Sequence, residues 1–346
     1  MKLRDFLGIY NDKDHTIISI FFIKFKFRNN GKSVQKKKSF TKDKDKKIEE
    51  MAKELKLLRI IIQKSIDITK IPKATGNYRK IQLIKTKMLK IIDIIMKRNN
   101  IKYWLEYGSL IGAIRHKGFI PWDDDVDLGC MRDDYLRLPE IFTEALKDTP
   151  FYVSIGRYRK TQLLRLEYRQ IDFCIDFFPY EYINEIKTTE EDKKEFITKW
   201  LAIRKDLQKK YPVSCFERGE HYLMDIIEDA DVLKAKYFKG YFDVDRTKTG
   251  QIIRSVETMT TTVKCAIFDT NKIFPLVDMP FEDLMLPCPN DPLEHLYQAK
   301  EYGKYGDVMT FPTIKDSGFK HMDTKYPDDI DYDTVIVELS EIAEKL

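Results

Sequence analysis

Apolar residues along this chain follow two different periods, and the changeovers between them outline its elements. Over residues 16–27 the side chains are β-branched and aromatic, and they end in the alternation Ile23, Lys24, Phe25, Lys26, Phe27, Arg28. That pattern predicts a strand with one basic face, part of a small hairpin. Residues 29–47 are rich in Lys and poor in apolar side chains, which predicts a solvated linker. Over 48–66, Met51, Leu55, Leu58, Ile62 and Ile66 recur every three or four positions, and over 78–97 Ile81, Ile84, Met88, Ile91, Ile92 and Ile95 do the same. Both stretches predict amphipathic helices whose stripes face a core or a helical partner.

Residues 101–107 are apolar and aromatic enough for a buried strand, followed by the turn Gly108-Ser109 and a short helix over 110–115. A second strand is expected over 125–131 and a helix within 133–146. Strand-like runs follow at 151–155, 163–168 and 171–178, the last expected to stop at Pro179, which cannot donate to a ladder. Residues 188–211 and 223–242 read as helices polar on one face. The segment 260–305, rich in Pro and aromatics, reads as short helical and extended pieces, such as 292–300, that cover the core. The expected fold class is mixed α/β (α+β): a mixed sheet flanked by helices, with a helical insert at about 188–254 and a small N-terminal β arm. The expected organisation is an arm and linker over 1–47 and a single domain over 48–346.

Composition sharpens this picture. With 346 residues, 43% of them hydrophobic, the chain can bury a sizeable core. Residues 1–50 hold 14 Lys and Arg against 7 Asp and Glu, while the whole chain carries a net charge of only +5. The remainder is therefore slightly acidic, which argues against a nucleic-acid partner and points to an arm that meets an anionic membrane surface. Five scattered cysteines lack the close pairs of a zinc site and suggest a reducing compartment. There is no signal-peptide pattern, and no apolar run approaches the roughly 20 residues that span a bilayer. The expected location is the cytoplasm, with peripheral contact at the inner face of the membrane.

The stretch that carries chemistry is Trp122, Asp123, Asp124, Asp125, Val126, Asp127. If the chain is extended there, Asp125 and Asp127 project on one face while Val126 and Leu128 enter the core, and Asp123 can join the pair. Such carboxylates suit a hard cation, Mg²⁺ or Mn²⁺, whose octahedron phosphate oxygens complete. An EF-hand is excluded, because Leu128 stands where that loop requires Gly and Asp134 where it requires Glu. The Gly108-Ser109 turn opens a helix whose free amides suit a phosphate oxygen. No Walker-A or dinucleotide fingerprint is present. A third carboxylate is wanted from a neighbouring strand; Asp172, Cys174 and Asp176 share a face there, and Asp176, among apolar neighbours, is the better candidate.

These residues resemble the LicD family, which includes bacterial phosphocholine transferases and, more distantly, the fukutin-related protein. The resemblance rests on Glu106-Tyr107-Gly108-Ser109-Leu110-Ile111-Gly112 and on Arg115-His116-Lys117-Gly118-Phe119-Ile120-Pro121-Trp122-Asp123-Asp124-Asp125-Val126-Asp127. Weaker echoes stand at Ile175-Asp176-Phe177-Phe178-Pro179, from Phe274-Pro275 to Pro289, and at Lys304-Tyr305-Gly306-Asp307. It implies a nucleotidyltransferase-like fold and transfer of a phosphorylated alcohol, typically phosphocholine from CDP-choline, to a glycan sugar. In those terms Asp123, Asp125 and Asp127 would hold the metal, and Asp125, Asp127 and Asp176 would be the catalytic carboxylates.

Gly108, Ser109, Arg115, Lys117 and Trp122 are the candidate substrate contacts. Arg115, His116 and Lys117 follow the short helix closely enough to meet a diphosphate. Trp122, Tyr107 and Tyr168 suit an aromatic enclosure for a quaternary ammonium, although core packing accounts for any one of them. His295 and His321 read as structural. Alternative readings are transfer of phosphoethanolamine, glycerol phosphate or ribitol phosphate from the matching CDP-alcohol, nucleotidyl transfer from a nucleoside triphosphate, and a non-enzymatic scaffold for glycan assembly at the membrane.

Overall fold

The computed structural model describes residues 7–12, 15–20, 23–28, 37–158, 161–169, 173–184, 190–211, 221–238, 250–255, 267–298 and 329–346. Asp172, Cys215, Cys265, His321 and the motif at 304–307 lie outside them. The described residues divide into two compact units, one ending at Lys70 and one beginning at Ile71.

The first unit holds strands β1 (Leu7–Asp12), β2 (His15–Ile20) and β3 (Ile23–Arg28) and helix α1 (Lys37–Ser65). The strands form an antiparallel sheet in the order β1-β2-β3, with Ile18 opposite Phe25 and Ile20 opposite Ile23. The expected hairpin is thus β2 and β3, and β1 adds a strand that the apolar pattern did not announce. Helix α1 starts at Lys37, inside the stretch expected to be a linker. Once a helix is nucleated by its apolar stripe, extending it costs little, and Lys is a good helix former even without a face to bury.

The second unit runs α2 (Gly76–Arg98), β4 (Tyr103–Leu105), α3 (Tyr107–His116), β5 (Asp127–Met131), α4 (Arg132–Tyr135), α5 (Leu138–Ala145), β6 (Phe151–Tyr158), β7 (Thr161–Tyr168), β8 (Phe173–Ile183), α6 (Glu190–Lys210), α7 (His221–Tyr237), β9 (Gln251–Arg254), β10 (Ile267–Asp269), α8 (Thr270–Ile273), β11 (Val277–Phe281), β12 (Leu284–Cys288), α9 (Pro292–Gln298) and α10 (Tyr332–Lys345). A seven-stranded mixed sheet is ordered β10-β9-β8-β5-β4, and β7 pairs with β8 and with β6. Strands β5 and β8 are parallel, and the other pairs are antiparallel. Strands β11 and β12 form a separate hairpin.

Strand β8 does not stop at Pro179 as expected. Pro179 lies between the last residue paired with β7, Phe177, and the first paired with β9, Tyr180. Its carbonyl accepts from Ser255 N at 2.9 Å on that side. The amide and carbonyl of a strand residue point the same way, so the missing donor falls at the seam where β7 gives way to β9.

The predicted stripe of α2 is buried: Ile84, Met88, Ile91 and Ile92 are fully enclosed. Helix α10, absent from the sequence-based expectation, packs against α2 and buries Val335 and Leu339. Its signal was a short one: Val335, Leu339 and Ala343 at spacings of four, behind an Asp331 cap that accepts from Thr334 N at 3.2 Å. In the insert, α6 and α7 close over Ile183 and Ile253 through Phe196, Trp200, Ile203, Leu207, Ala230 and Phe238.

Because Leu339 is wholly enclosed, Leu339→Ala is expected to destabilise the chain by about 2–5 kcal/mol in urea unfolding. A loss below about 0.5 kcal/mol would mean that α10 does not dock as described.

Candidate active site

The acidic run alternates as its spacing requires. Trp122, Asp124, Val126 and Leu128 are buried, while Asp123, Asp125 and Asp127 keep partial access to solvent. Val126 and Leu128, at 2% and 0% exposure, pin one face in the core and so turn the three carboxylates to the other. The neighbouring strand completes the group. Asp127 stands directly opposite Asp176 in the parallel ladder of β5 and β8, and Asp176 N donates to Val126 O at 3.1 Å. On the far side Glu106 N donates to Asp127 O at 3.0 Å.

Among the described residues, Arg165 and Lys85 meet these acids. Arg165 of β7 lies opposite Asp176 and grips it at both oxygens, Nε to Oδ1 at 2.5 Å and Nη2 to Oδ2 at 3.1 Å. Lys85 of α2, with a side chain 2% exposed, brings Nζ to 4.0 Å from Asp125 Oδ1. Burial disfavours its ammonium, but Cys174, Asp125, Asp124 and Asp176 outweigh burial and raise its pKa. Asp127 is held well above the usual carboxylate range by burial first, and then by Asp125, Asp176, Asp123 and Glu106. Burial also raises Asp176, against the opposing pull of Arg165. Among the described residues acids outnumber bases here, and the carboxylates repel one another.

Among the described residues, no group of three or more His, Cys, Asp or Glu side chains is arranged to hold a metal ion by itself. Mg²⁺ does not require such a cage: one or two carboxylates suffice, with phosphate oxygens and water filling the remaining places. The donors present are all hard oxygens with an excess of negative charge, and they fit such an ion.

The turn before α3 is locked to the acidic run. Tyr107 takes a left-handed φ of 44°, which brings Gly108 against the loop. A Cβ at Gly108 would come within 2.5 Å of Asp123 Oδ2, so the carboxylate occupies the room that a side chain would need. Ser109 Oγ accepts from Asp127 N at 3.0 Å. At the other end of α3, Arg115 is buried, Lys117 is exposed, and Trp122 packs edge-on to His116 with ring centroids 6.3 Å apart. Tyr107 packs on Phe178 at 4.9 Å and lies under the Arg254 guanidinium at 4.6 Å. Tyr168 is fully buried and its hydroxyl donates to Glu338 at 2.8 Å.

Behind the turn lies a buried polar knot. Glu106, with no exposed surface, accepts from Trp104 Nε1 at 2.9 Å and pairs with His295 Nε2 at 2.9 Å. Arg254 Nη2 is 3.6 Å from its other oxygen. Burial would raise its pKa, but His295 and Arg254 together hold it below the usual range. The partner that His295 lacked in the sequence is Glu106. Lys85 and Arg165, which the sequence reading missed, were detectable in part: Lys85 follows Ile84 and lies four residues beyond Ile81, a position the helical stripe reserves for apolar side chains.

Residues 100–218 match the family model described as "LicD/FKTN/FKRP, nucleotidyltransferase domain". The chain is 47% identical over 64 residues to the lipopolysaccharide cholinephosphotransferase LicD of Haemophilus influenzae, covering 18% of this chain and 24% of that protein. It is 52% identical over 40 residues to the human ribitol 5-phosphate transferase FKRP, covering 12% and 8%. Residues 100–218 are the part of this chain that belongs to the LicD family. Another relative, an uncharacterized protein of Rickettsia prowazekii, is 46% identical over 57 residues, which is 16% of this chain and 21% of that one. The chain thus spans a quarter or less of the length of these relatives. The matched segment holds Glu106, Gly108, the acidic run, Arg165 and Asp176, but not Lys85, Arg254 or His295.

Two outcomes follow from the electrostatics. The folded-state pKa of Asp127 is raised, so the native chain binds its proton more tightly than the unfolded one and loses stability as pH rises. Asp127→Asn, with metal absent, is therefore expected to raise Tm by an amount that grows from pH 4 to pH 8; a lower Tm at pH 8 would contradict the crowding of these acids. His116 is pushed down to about 4 from 6.5 by burial and by Arg115. The unfolded state then binds the extra proton between those pH values, and stability falls as pH drops through that window, by at most roughly 3 kcal/mol. His116→Gln is expected to flatten that part of the stability profile, read from urea midpoints between pH 4 and 7.

Proposed function

We propose that this LicD-family chain is a metal-dependent phosphotransferase that moves phosphocholine from CDP-choline to a sugar hydroxyl of a bacterial-type surface glycan. The observation that carries the reading is the convergence of Asp125 and Asp127, on one face, with Asp176 from the adjacent strand. A binding module has no reason to gather charges that repel, whereas phosphoryl transfer needs them to hold a cation against a diphosphate. The relatives named as cholinephosphotransferase and as ribitol 5-phosphate transferase share transfer of a phosphorylated alcohol, which supports the reaction class and leaves the alcohol to experiment.

In this reading Asp123, Asp125 and Asp127 hold Mg²⁺ or Mn²⁺, which when bound neutralises phosphate charge and orients the diphosphate. Lys85, beneath the acids, offsets part of their charge and limits how far the group repels itself. Asp176 is placed to accept the proton of the attacking sugar hydroxyl, with Arg165 holding its carboxylate in one orientation. The Gly108-Ser109 turn offers the first amides of α3 to phosphate oxygens. Exposed Lys117 is free to reach a phosphate, whereas buried Arg115 contributes positive potential from below. Trp122 supplies one wall of the alcohol pocket.

The test is incubation with Mg²⁺, a glycan acceptor and CDP-choline, CDP-ethanolamine, CDP-glycerol or CDP-ribitol in turn. CMP release with CDP-choline is expected, and Asp125→Ala and Asp127→Ala are each expected to lower turnover at least about a hundredfold with an unchanged far-UV spectrum. Release from another CDP-alcohol alone would reassign the alcohol. Pyrophosphate from a nucleoside triphosphate would replace the reaction by nucleotidyl transfer, and no turnover with any donor would leave the scaffold reading.

A further inference from the structure

Helix α2 interrupts its buried stripe with polar residues three positions apart: Arg79, Gln82 and Lys85. Lys85 faces the acids, Gln82 the loop that leads into them, and Arg79 the β11–β12 hairpin. Gln82 is 1% exposed, a place where an amide is tolerated only if its groups find partners. They do. Its Oε1 accepts from Arg79 Nη1 at 3.1 Å, and its Nε2 donates to Ile120 O at 3.2 Å and to Asp123 O at 2.9 Å. Arg79 in turn grips Glu282 at both oxygens, at 3.0 and 2.6 Å.

Glu282 stands at the turn of the β11–β12 hairpin with a left-handed φ of 58°, and its side chain is 4% exposed. It also accepts from Lys73 Nζ at 2.6 Å and from Phe119 N at 3.1 Å, while its own amide donates to Lys117 O at 2.8 Å. One connected set of bonds thus holds the segment 117–123 at four backbone points: Lys117 O, Phe119 N, Ile120 O and Asp123 O. The last of these matters most. Asp123 N closes a turn on Ile120 O at 2.9 Å, and Asp123 Oδ1 accepts from Asp125 N at 3.3 Å, so the grip passes to the acid that opens the site.

We propose that Arg79, Gln82 and Glu282 are positioning residues that fix the 117–123 loop, and through Asp123 set the geometry in which the acidic run receives its cation and diphosphate. The effect on catalysis rests on the function proposed above; the effect on the loop does not. Glu282 is reached from two sides, which allows independent perturbations. Gln82→Met keeps the volume and removes both donors. Gly118→Ala places a Cβ against Glu282 Oε1, and because that carboxylate is held by Arg79, Lys73 and Phe119 N it cannot simply swing aside.

The experiment compares the whole wild-type chain with Gln82→Met, Gly118→Ala, and Leu339→Ala as a control that is destabilised in α10. Amide exchange of residues 118–125 is expected to speed up about tenfold in the first two variants, with β8 unchanged, and Mn²⁺ titration is expected to show weaker binding. In the transfer assay kcat is expected to fall about tenfold or more while KM for the CDP-alcohol stays within about threefold, the pattern of lost transition-state alignment. Wild-type exchange in the loop of Gln82→Met, or an equal acceleration in Leu339→Ala, would overturn the proposal and make the set a plain structural staple. If wild type transfers nothing from any donor, the function falls while the exchange arm still decides this inference.

Discussion

Asp127 and Asp176 face each other across a parallel strand pair, with Asp125 and Asp123 beside them, and their repulsion in a partly enclosed place is what the surrounding structure must offset. Each carboxylate brought out of water loses hydration, and each neighbour of the same sign adds to the loss. Among the described residues, Lys85 answers from below and Arg165 from the next strand. In the proposed function, an ion and its phosphate oxygens relieve this repulsion. Stability of the empty chain and readiness of the site therefore pull against each other.

Much of this was legible from residues 101–131. The alternation of Asp and apolar side chains gave the face of the acids, because Val126 and Leu128 have only the core to enter, and the period of two leaves no freedom once they do. The Gly108-Ser109 turn was legible as a junction, and its location fits, but its packing role was not. Gly108 is small because Asp123 fills the room beside it, and the Ser109 hydroxyl holds the Asp127 amide. Asp176 was legible as the partner because strand pairing offered few others.

What escaped the sequence was long-range pairing. Arg165 sits in an ordinary strand, and only the register of β7 against β8 makes it the mate of Asp176. Glu282 is one acid among many in the chain until the hairpin turn brings it to Arg79, two hundred residues away by order of magnitude. Helix α10 has a stripe too short to stand out, and its cap is a local feature without a global consequence until α2 is there to receive it. The helical start at Lys37 failed in the opposite direction: composition argued for a linker, and composition says little about a segment that continues a helix already formed.

The LicD-family segment spans residues 100–218 and contains Asp123, Asp125, Asp127 and Asp176. The groups that hold those acids in position lie largely outside it: Arg79, Gln82 and Lys85 on the helix before, and Arg254, Glu282 and His295 on the elements after. Chemistry of this kind tolerates little displacement, since misplacement of a reacting group by about 1 Å can lower a rate a hundredfold. In the proposed function the acidic run supplies the reaction class, and the flanking elements hold the run in place for it. Two chains with the same acidic run and different flanks can thus share a reaction and differ in rate and in partner. In this chain Gln82 meets the run at the backbone carbonyl of Asp123, while Lys85 meets it at the Asp125 carboxylate.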